Sequence, residues 1–342
     1  MRMNEKALKI YNEISTILGA PVYLVGGSVR DIVRGVEPKD YDFTTGLIPD
    51  EIEAKIKSAG KKPFIVGKRF GTVGVKIDGQ MVEITTFRSE TYEPGNRKPI
   101  VEFGQDITAD LSRRDFTINA MAWREGKLID PFEGAVDLKD GRIRAVGNPK
   151  TRFKEDPLRM LRAIRFATTF NFVFDPKTLD KIIEKSYKIL EISKERWMQE
   201  LDKMLVSENI VYGLHILEHS RLLHFMIPEL TLQFNYDQNS PHHKLKLWEH
   251  TKQVVGQTPA DIDLRWGALL HDIGKPFMRE EKPGRSTYIK HDMLGAEMVE
   301  RLARHLKWSN DRREKVVDLV FNHMTETSPL RKADTSFEAR GK

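Results

Sequence analysis

The spacing of apolar residues divides the chain into a mixed N-terminal part and a helical remainder. Residues 1–20 place apolar side chains every three or four positions between charges, which predicts an amphipathic helix rather than a signal peptide. Apolar or β-branched runs at Val22–Val25, Thr72–Ile77 and Met81–Thr86 predict strands, because Gly, Pro and Asp clusters separate them from helical stretches. The first 140 residues are therefore expected to form an α/β fold.

From about Asp156 onward the pattern predicts helices and no strands. Apolar residues recur at helical spacing in three segments, Leu158–Phe170, Pro176–Leu190 and Arg196–Leu205. Residues 206–240 and 242–342 continue this helical pattern, with a polar, turn-rich break at Asp237–Pro241 between them. The predicted architecture is an α/β head followed by an all-α remainder.

Composition narrows the class of protein. A chain of 342 residues exceeds one compact core and predicts two or more domains. No apolar run approaches the roughly 18 residues that span a bilayer, so we expect no membrane contact and a cytoplasmic location. The absence of cysteine excludes disulfides and thiolate metal sites. The net charge of +6 suits a polyanionic partner, although it also serves solubility.

A glycine turn and two aspartates form the first candidate site. The strand Val22–Val25 runs into Gly26, Gly27 and Ser28, where a helix is predicted to begin. Glycines allow close backbone approach, and a helix N-terminus offers N–H groups to phosphate, although such a turn is also common without a ligand. The segment Asp40-Tyr41-Asp42 follows about a dozen residues later.

Asp40 and Asp42 point to one face if Tyr41 lies at a strand, because side chains alternate along a strand. Paired carboxylates repel unless a cation neutralises them, and magnesium prefers oxygen ligands shared with substrate phosphates. Two such ions can activate a hydroxyl and stabilise a leaving pyrophosphate. Glu83, in a neighbouring predicted strand, is a candidate third carboxylate or an edge-strand surface residue. Exposed turn aspartates are the alternative for the pair.

These motifs resemble the DNA polymerase beta superfamily, and more closely the class II CCA-adding enzymes and bacterial poly(A) polymerases. The first motif comprises the glycine turn, the pair Arg30-Asp31 and the Asp-x-Asp segment. The segment RRDFTINAMAW at Arg113–Trp123 is similar to the second motif of the family. Residues Asp130–Ala167 are similar to its third and fourth motifs. The resemblance extends over residues 20 to about 205 and more loosely to about 325.

The resemblance implies roles for several further residues. Arg114 and Asp115 are expected to contact the ribose and phosphates of an incoming nucleotide, with Arg30 and Asn119 in the same nucleotide site. From the sequence alone, Asp115 could equally cap a charged helix start. The segment Thr86–Ile107 contains Pro94, Gly95, Asn96 and Pro99 and predicts a long mobile loop. In the family this position holds a flexible loop needed for switching from C to A addition.

The family resemblance also implies that Asp156 and Arg159 select the base. Cytosine and adenine present an amine beside a ring-nitrogen acceptor, so an Asp can accept from the amine and an Arg can donate to the ring nitrogen. Uracil and guanine present the reverse pattern. Arg162 and Arg165 continue the row at spacings of three and are candidate nucleotide contacts or a solvated helix stripe. Proline at the first helical position, capped by Asp156, would explain this helix start without any function.

A second candidate site lies in the C-terminal part. The segments WEHTKQVV, LLHDIGKP, HDMLGAEMVE and LVFNHM contain His250, His271 with Asp272, His291 and His323. Imidazoles with an adjacent carboxylate can ligate a divalent metal. The arrangement resembles the HD-domain metal phosphohydrolases.

Together these features predict a polymerase-beta-like α/β head in residues 1–140, a base-recognising helical neck in 141–205, a helical body in 206–240 and an HD-like domain in 241–342. The resemblance implies addition or repair of the CCA end of tRNA from CTP and ATP with two Mg²⁺ ions, without an obligate protein partner. Alternatives are a poly(A) polymerase, an A-adding or CC-adding enzyme, an HD phosphohydrolase with its own divalent metal, and a non-catalytic RNA-binding module.

Overall fold

The computed structural model describes residues 3–91, 100–104, 106–240, 244–331 and 333. It divides into two compact units. The first contains Met1–Asp156 and Val173–Thr178, and the second contains Pro157–Phe172 and Leu179–Lys342.

Unit 1 is the α/β part of the chain. Its helices are α1 (Glu5–Leu18), α2 (Gly27–Val33), α3 (Pro49–Ser58), α4 (Ile107–Ser112), α5 (Gly134–Asp140) and α6 (Pro149–Glu155). Its strands are β1 (Val22–Val25), β2 (Tyr41–Thr45), β3 (Pro63–Phe64), β4 (Thr72–Ile77), β5 (Gln80–Thr86), β6 (Arg88–Thr91), β7 (Ile100–Phe103), β8 (Ala122–Arg124), β9 (Lys127–Ile129), β10 (Arg142–Ile143) and β11 (Val173–Phe174).

Seven of these strands form one mixed sheet in the order β3-β4-β5-β2-β1-β8-β9. Only β2 and β5 pair in parallel, and the other neighbours are antiparallel. The predicted strands at Val22–Val25 and Thr72–Ile77 are confirmed to the residue, and that at Met81–Thr86 to within one. The predicted N-terminal helix is α1, whose apolar face buries Ile10 and Ile14.

The two faces of this sheet differ in what covers them. Alternate residues of β4 and β5, such as Val75 and Ile84, are fully buried on the side of α1 and α3. On the opposite face an apolar cluster around Val25 and Leu111 covers the β1–β8–β9 half. The β5–β4–β3 half of that face carries the exposed residue Glu83, among others. One half-face of the sheet is thus open to solvent.

Unit 2 is mostly helical, as predicted. Its helices are α7 (Leu158–Phe170), α8 (Pro176–Lys185), α9 (Lys194–Leu205), α10 (Ile210–His219), α11 (Leu222–Met226), α12 (Pro228–Thr231), α13 (Leu247–Gln257), α14 (Ile262–Leu270), α15 (His291–His305) and α16 (Asn310–Phe321). The core contains Trp197, Trp248 and Trp266, each buried with its indole N–H donating to an oxygen at 2.8–3.0 Å. Because each large ring is both packed and hydrogen-bonded, it fixes one arrangement of its neighbours.

The prediction that strands cease after Asp156 is wrong in two places. Strand β11 pairs in parallel with β10, and a hairpin forms from β12 (Glu280–Lys282) and β13 (Arg285–Thr287). The hairpin strands EEK and RST have no apolar alternation, so hydrophobic patterning does not detect them. The two strands are joined by a turn at Pro283-Gly284, where proline fixes the first central residue and Gly284 adopts φ 76°.

Two other boundaries differ from expectation. The segment Thr86–Ile107 was expected to be one long loop, but its described ends, β6 and β7, pair as an antiparallel ribbon. Pro94, Gly95, Asn96 and Pro99 lie outside the described residues. The helix predicted over Pro176–Leu190 ends at Lys185 and continues as a 3₁₀ helix.

Candidate active site

The turn after β1 holds the aspartate segment in place through one hydroxyl. Ser28 Oγ donates to the Asp40 carbonyl and accepts from the Asp42 N–H, both at 3.0 Å. Gly26 adopts φ 68°, and a Cβ there would lie 2.7 Å from Nη1 of Arg114. The positive φ favours glycine at this position, and the absence of a side chain leaves room for the guanidinium of Arg114.

The structure brings the predicted carboxylates together on the open half-face. In the parallel β2–β5 pair, Asp42 lies directly opposite Glu83, so both side chains project from the same face. Asp40 precedes β2 by one residue and contributes to the negative potential at Asp42. Glu83 is exposed and Asp42 is partly buried, so these groups border solvent.

The electrostatics of Asp42 reflect this crowding. Burial, followed by the charges of Glu83 and Asp40, raises the pKa of Asp42 to about 6, against the opposing effect of Arg114 and Arg30. Its ionised form is thus held at a cost that a cation would relieve. Oxygen donors of this type, next to open space, fit a hard divalent ion that shares its coordination sphere with phosphate.

A buried aspartate that the sequence reasoning missed positions the two arginines of the second motif. Asp110 in α4 is completely buried, and its carboxylate contacts Arg113 at 2.8 Å and Arg114 at 3.3 Å. Burial alone would raise the pKa of Asp110, but the two guanidiniums outweigh it and lower the pKa. The spacings of three and four residues could have revealed these pairs on a helix.

Asp115 belongs to a hydrogen-bonded chain that includes two other predicted residues. Its Oδ1 accepts from the Phe116 N–H at 2.8 Å and from the Asn119 amide at 3.1 Å. The Asn119 side-chain oxygen in turn accepts from Arg30 at 2.8 Å, and Arg30 also pairs with Asp31. The chain links the helix after the glycine turn to the second motif and fixes the orientation of each member.

The predicted base-selecting residues lie at a junction between helices. Asp156 is the residue after α6, and Arg159, 8% exposed, lies in the first turn of α7. The expectation that Asp156 caps α7 is wrong, because Pro157 takes the N-cap position. Arg165 and Arg162, on the same helix, pair with one carboxylate.

That carboxylate belongs to Glu200 of α9, which is 4% exposed. It lies 2.5 Å from Arg165 Nε and 3.6 Å from Arg162 Nη1. The guanidinium of Arg165 also stacks on the Phe166 ring at 3.9 Å. These contacts give Arg162 and Arg165 a role in joining α7 to α9, and their predicted contact with nucleotide stays a prediction.

The five residues of the second candidate site converge in unit 2. His250, His271, Asp272, His291 and His323 are each between 1% and 6% exposed. The Nε2 atoms of all four histidines lie 3.1–3.7 Å from an oxygen of Asp272. Two overlapping groups could each hold a metal ion, one with His250 and His271 and one with His291 and His323.

Backbone carbonyl groups orient three of the four imidazoles of this cluster. Nδ1 of His271, His291 and His323 lies 2.6–2.7 Å from a backbone carbonyl of its own helix turn. This contact fixes the tautomer that leaves Nε2 as a metal ligand. The donor set and orientation fit a divalent transition metal.

A buried lysine beside Asp272 was not predicted. Lys275 is 5% exposed, and its Nζ lies 2.7 Å from Oδ2 of Asp272 and 3.2 Å from Oε1 of Gln238. Burial would raise the pKa of Asp272, yet His271 and Lys275 hold that pKa well below its usual range. The i,i+3 spacing in HDIGK could have indicated this pair.

No helix among the described residues is long and apolar enough to cross a membrane.

Three protein-family models match successive segments of the chain. Residues 22–144 match the family described as "Poly A polymerase head domain", and residues 171–233 match "Probable RNA and SrmB- binding site of polymerase A". Residues 242–340 match "HD domain".

Individual proteins are similar over most of the chain. A CCA-adding enzyme of Levilactobacillus brevis is 37% identical over 296 residues, which cover 84% of this chain and 69% of the relative. A CCA-adding enzyme of Lactococcus lactis subsp. cremoris is 44% identical over 207 residues, 59% of this chain, and the match spans only half of that relative. A solved tRNA nucleotidyltransferase complexed with a primer tRNA and an incoming ATP analog is 27% identical with a TM-score of 0.67, covering 96% of this chain and 88% of that one. These matches confirm the predicted fold class.

Proposed function

The chain belongs to the family of CCA-adding enzymes, and we propose that it adds the terminal CCA to the 3′ end of tRNA from CTP and ATP. The resemblance seen in the motifs is thereby confirmed at the level of the family. The observation that carries the proposal is the juxtaposition of Asp42 and Glu83 on an open sheet face, with Asp40 adjacent. This arrangement admits a polyphosphate and an RNA end together.

Asp40, Asp42 and Glu83 would hold two Mg²⁺ ions, which supply activation of the attacking 3′ hydroxyl and stabilisation of the leaving pyrophosphate. The residues themselves contribute position. Ser28 fixes the backbone on both sides of the aspartate pair, so the carboxylates keep one orientation. Since Asp42 has a pKa of about 6, it is largely ionised at neutral pH.

The nucleotide would bind beside the glycine turn. Arg114 Nη1 lies close to Gly26, which is the N-cap of α2. The positive charge of Arg114 is therefore next to the first backbone N–H groups of that helix. Such a combination binds phosphate through charge and backbone donors together. Asp115, oriented by Asn119, would accept a hydrogen bond from a ribose hydroxyl and so favour ribonucleotides.

Base choice would rest on Asp156 and Arg159, on the sequence argument that one acceptor and one donor match the shared edge of C and A. A wrong base leaves a buried polar group unpaired, at a cost of roughly 1–3 kcal/mol.

The test is single-turnover addition of each of the four ribonucleotides to a tRNA lacking its CCA end. Two C residues followed by one A are expected. A run of A residues, only CC or only A would identify one of the alternatives within the family. In the same assay Arg159→Ala is expected to reduce the preference for C and A over U and G about ten- to a hundredfold. A slower rate with unchanged preference would remove Arg159 from base choice.

A second candidate function is metal-dependent phosphohydrolysis in the HD domain. Four histidines with a shared aspartate, all facing inward, favour a divalent metal there in addition to the Mg²⁺ ions of the transferase site. Hydrolysis by this cluster stays a prediction. The cytoplasmic location of the chain also stays a prediction.

A further inference from the structure

The open half-face beside the carboxylates carries an apolar pair. Phe64 lies opposite Gly74, Gly74 lies opposite Glu83, and Glu83 lies opposite Asp42 in the registers of four adjacent strands. Residues paired in this way project from the same face of a sheet. Phe64 and Asp42 are therefore the two ends of one row across the sheet, separated by about 14 Å at the usual strand spacing of about 4.8 Å.

Met81 lies on the same face, two residues before Glu83 in β5. A Cβ added at Gly74 would meet Cβ of Phe64 at 3.3 Å and Sδ of Met81 at 3.5 Å. The two side chains thus flank the glycine. They are 38% and 39% exposed, so both present apolar surface to solvent on the same face as the carboxylates.

The charge on this face changes sign along the sheet. Lys76 lies opposite Met81 in the β4–β5 register and is exposed, whereas Glu83 lies two residues further along β5 and Asp42 lies beyond it in β2. A ligand that covers the whole face must therefore present an anionic backbone to Lys76 and a flat apolar surface to Phe64 and Met81. Its reactive end would meet the carboxylates. A single RNA strand that ends at the carboxylates has this pattern.

We propose that Phe64 and Met81 form a stacking platform for a base near the 3′ end of the RNA acceptor, with Lys76 contacting the adjoining phosphate. The proposal rests on the proposed function, because it takes the carboxylates as the place where the 3′ hydroxyl reacts. Gly74 is small enough to let a base lie across the pair. Stacking recognises the flat face of any base, so the platform tolerates the change of terminal nucleotide as the strand grows.

The test uses an RNA hairpin with the sequence of a tRNA acceptor arm, lacking CCA and carrying 2-aminopurine as its single unpaired 3′-terminal nucleotide. Stacking quenches 2-aminopurine, so binding to the full chain is expected to lower its fluorescence. Phe64→Ala is expected to abolish most of that quenching and to raise KM for the hairpin about tenfold, with KM for CTP unchanged. Phe64→Trp should preserve quenching, because it keeps an aromatic face.

Controls separate stacking from packing. Phe321 in α16 is 47% exposed, so Phe321→Ala makes the same change as Phe64→Ala elsewhere on the surface. It should leave both readouts as in the wild type. Phe64→Leu keeps apolar cover over Gly74 but not the ring, and it should behave like Phe64→Ala.

The possible results distinguish a stacking platform from apolar packing alone. Absence of quenching in the wild type, or equal quenching in wild type and Phe64→Ala, overturns the platform. Equal behaviour of Phe64→Leu and wild type also overturns it, since packing alone would then suffice. The fluorescence readout needs no catalysis, so a chain that adds no nucleotide but quenches normally would contradict the proposed function and leave the platform standing.

Discussion

The two acidic centres of the molecule balance their charge in opposite ways. At the sheet face, Asp42 lies against Glu83 and Asp40, and the pKa of Asp42 rises to about 6. In the HD domain, Asp272 is buried among histidines with Lys275 at 2.7 Å, and its pKa falls well below its usual range. At the first centre Arg114 and Arg30 offset the negative charge only in part, whereas at the second a buried lysine contacts the carboxylate directly.

This difference indicates what each centre can accept. A strained group of carboxylates on an open face gains most from ions that arrive with a polyphosphate, because those ions neutralise both partners at once. A closed cluster with oriented imidazoles is complete without substrate and resembles the structural type of metal site. Under the proposed function the open centre therefore suits phosphoryl transfer, and the closed cluster would suit a metal that stabilises the fold.

The largest expected effect is the difference in nucleotide addition between variants of the two centres. Asp42→Ala should reduce nucleotide addition by at least about a thousandfold. It removes a proposed metal ligand that supplies both negative charge and the geometry needed at the transferred phosphate. The double variant His271→Ala/Asp272→Ala should add nucleotides at close to the wild-type rate. Single-turnover addition to tRNA lacking CCA measures both.

Circular dichroism of each variant provides the control for folding. Near-normal addition by folded Asp42→Ala would remove this residue from catalysis. A collapse of addition in a folded double variant would mean that the centres are coupled. Any phosphate-ester hydrolysis seen with Mn²⁺ should persist in Asp42→Ala and vanish in the double variant, and the reverse pattern would place hydrolysis at the sheet face.

The sequence predicted the parts of both centres that depend on short-range patterns. Strand alternation predicted one face for Asp40 and Asp42, and the strand at Met81–Thr86 places Glu83 directly opposite Asp42, whereas Asp40 precedes β2 and its shared face stays a prediction. Asp110 and Lys275 were missed because each appears in the sequence as an ordinary charged residue of a helix or a turn. Their function depends on burial against a partner, which single-sequence patterns do not reveal.

Tertiary context explains the other differences. The hairpin at Glu280–Thr287 has no apolar alternation and depends on a glycine turn and on packing against the rest of the domain. The row from Phe64 through Gly74 to Asp42 exists only once three strand registers are known. Strand registers join residues that lie far apart in the chain, so local periodicity cannot supply them.

The second prediction tests the cost of uncompensated charge at the sheet face. The pKa of Asp42 rises from 3.8 to about 6 on folding, so the folded chain binds more protons than the unfolded chain between these pH values. Stability contributed by this group is therefore lost as pH rises from about 4 to about 6. Without metal, Asp42→Asn should be more stable than the wild type at pH 8 by up to about 3 kcal/mol, and the gain should disappear near pH 3.

Urea unfolding in EDTA at several pH values measures this difference. Glu83→Gln should recover part of the gain, because it removes one of the charges that raise the pKa of Asp42. Adding Mg²⁺ should stabilise the wild type and have less effect on Asp42→Asn. Parallel pH curves for wild type and Asp42→Asn would show that the carboxylates are already compensated in the protein.

The smallest expected effect tests the internal cation of the HD centre. Lys275→Met removes a positive charge 2.7 Å from Asp272. A divalent ion is then repelled less, and the Asp272 carboxylate has one partner fewer competing with the metal. We expect Mn²⁺ to bind this variant about tenfold more tightly, about 1.4 kcal/mol, by calorimetry in an Asp42→Asn background that weakens the transferase site. Lys252→Met is the matched control, since Lys252 is likewise buried, at 3% exposure, and ion-paired, but with Glu218 and Glu249. Equal Mn²⁺ affinity in the Lys275 variant and its background would mean that the ammonium does not oppose the metal, and the contrast between an uncompensated and a self-compensated centre would then depend on the histidines alone.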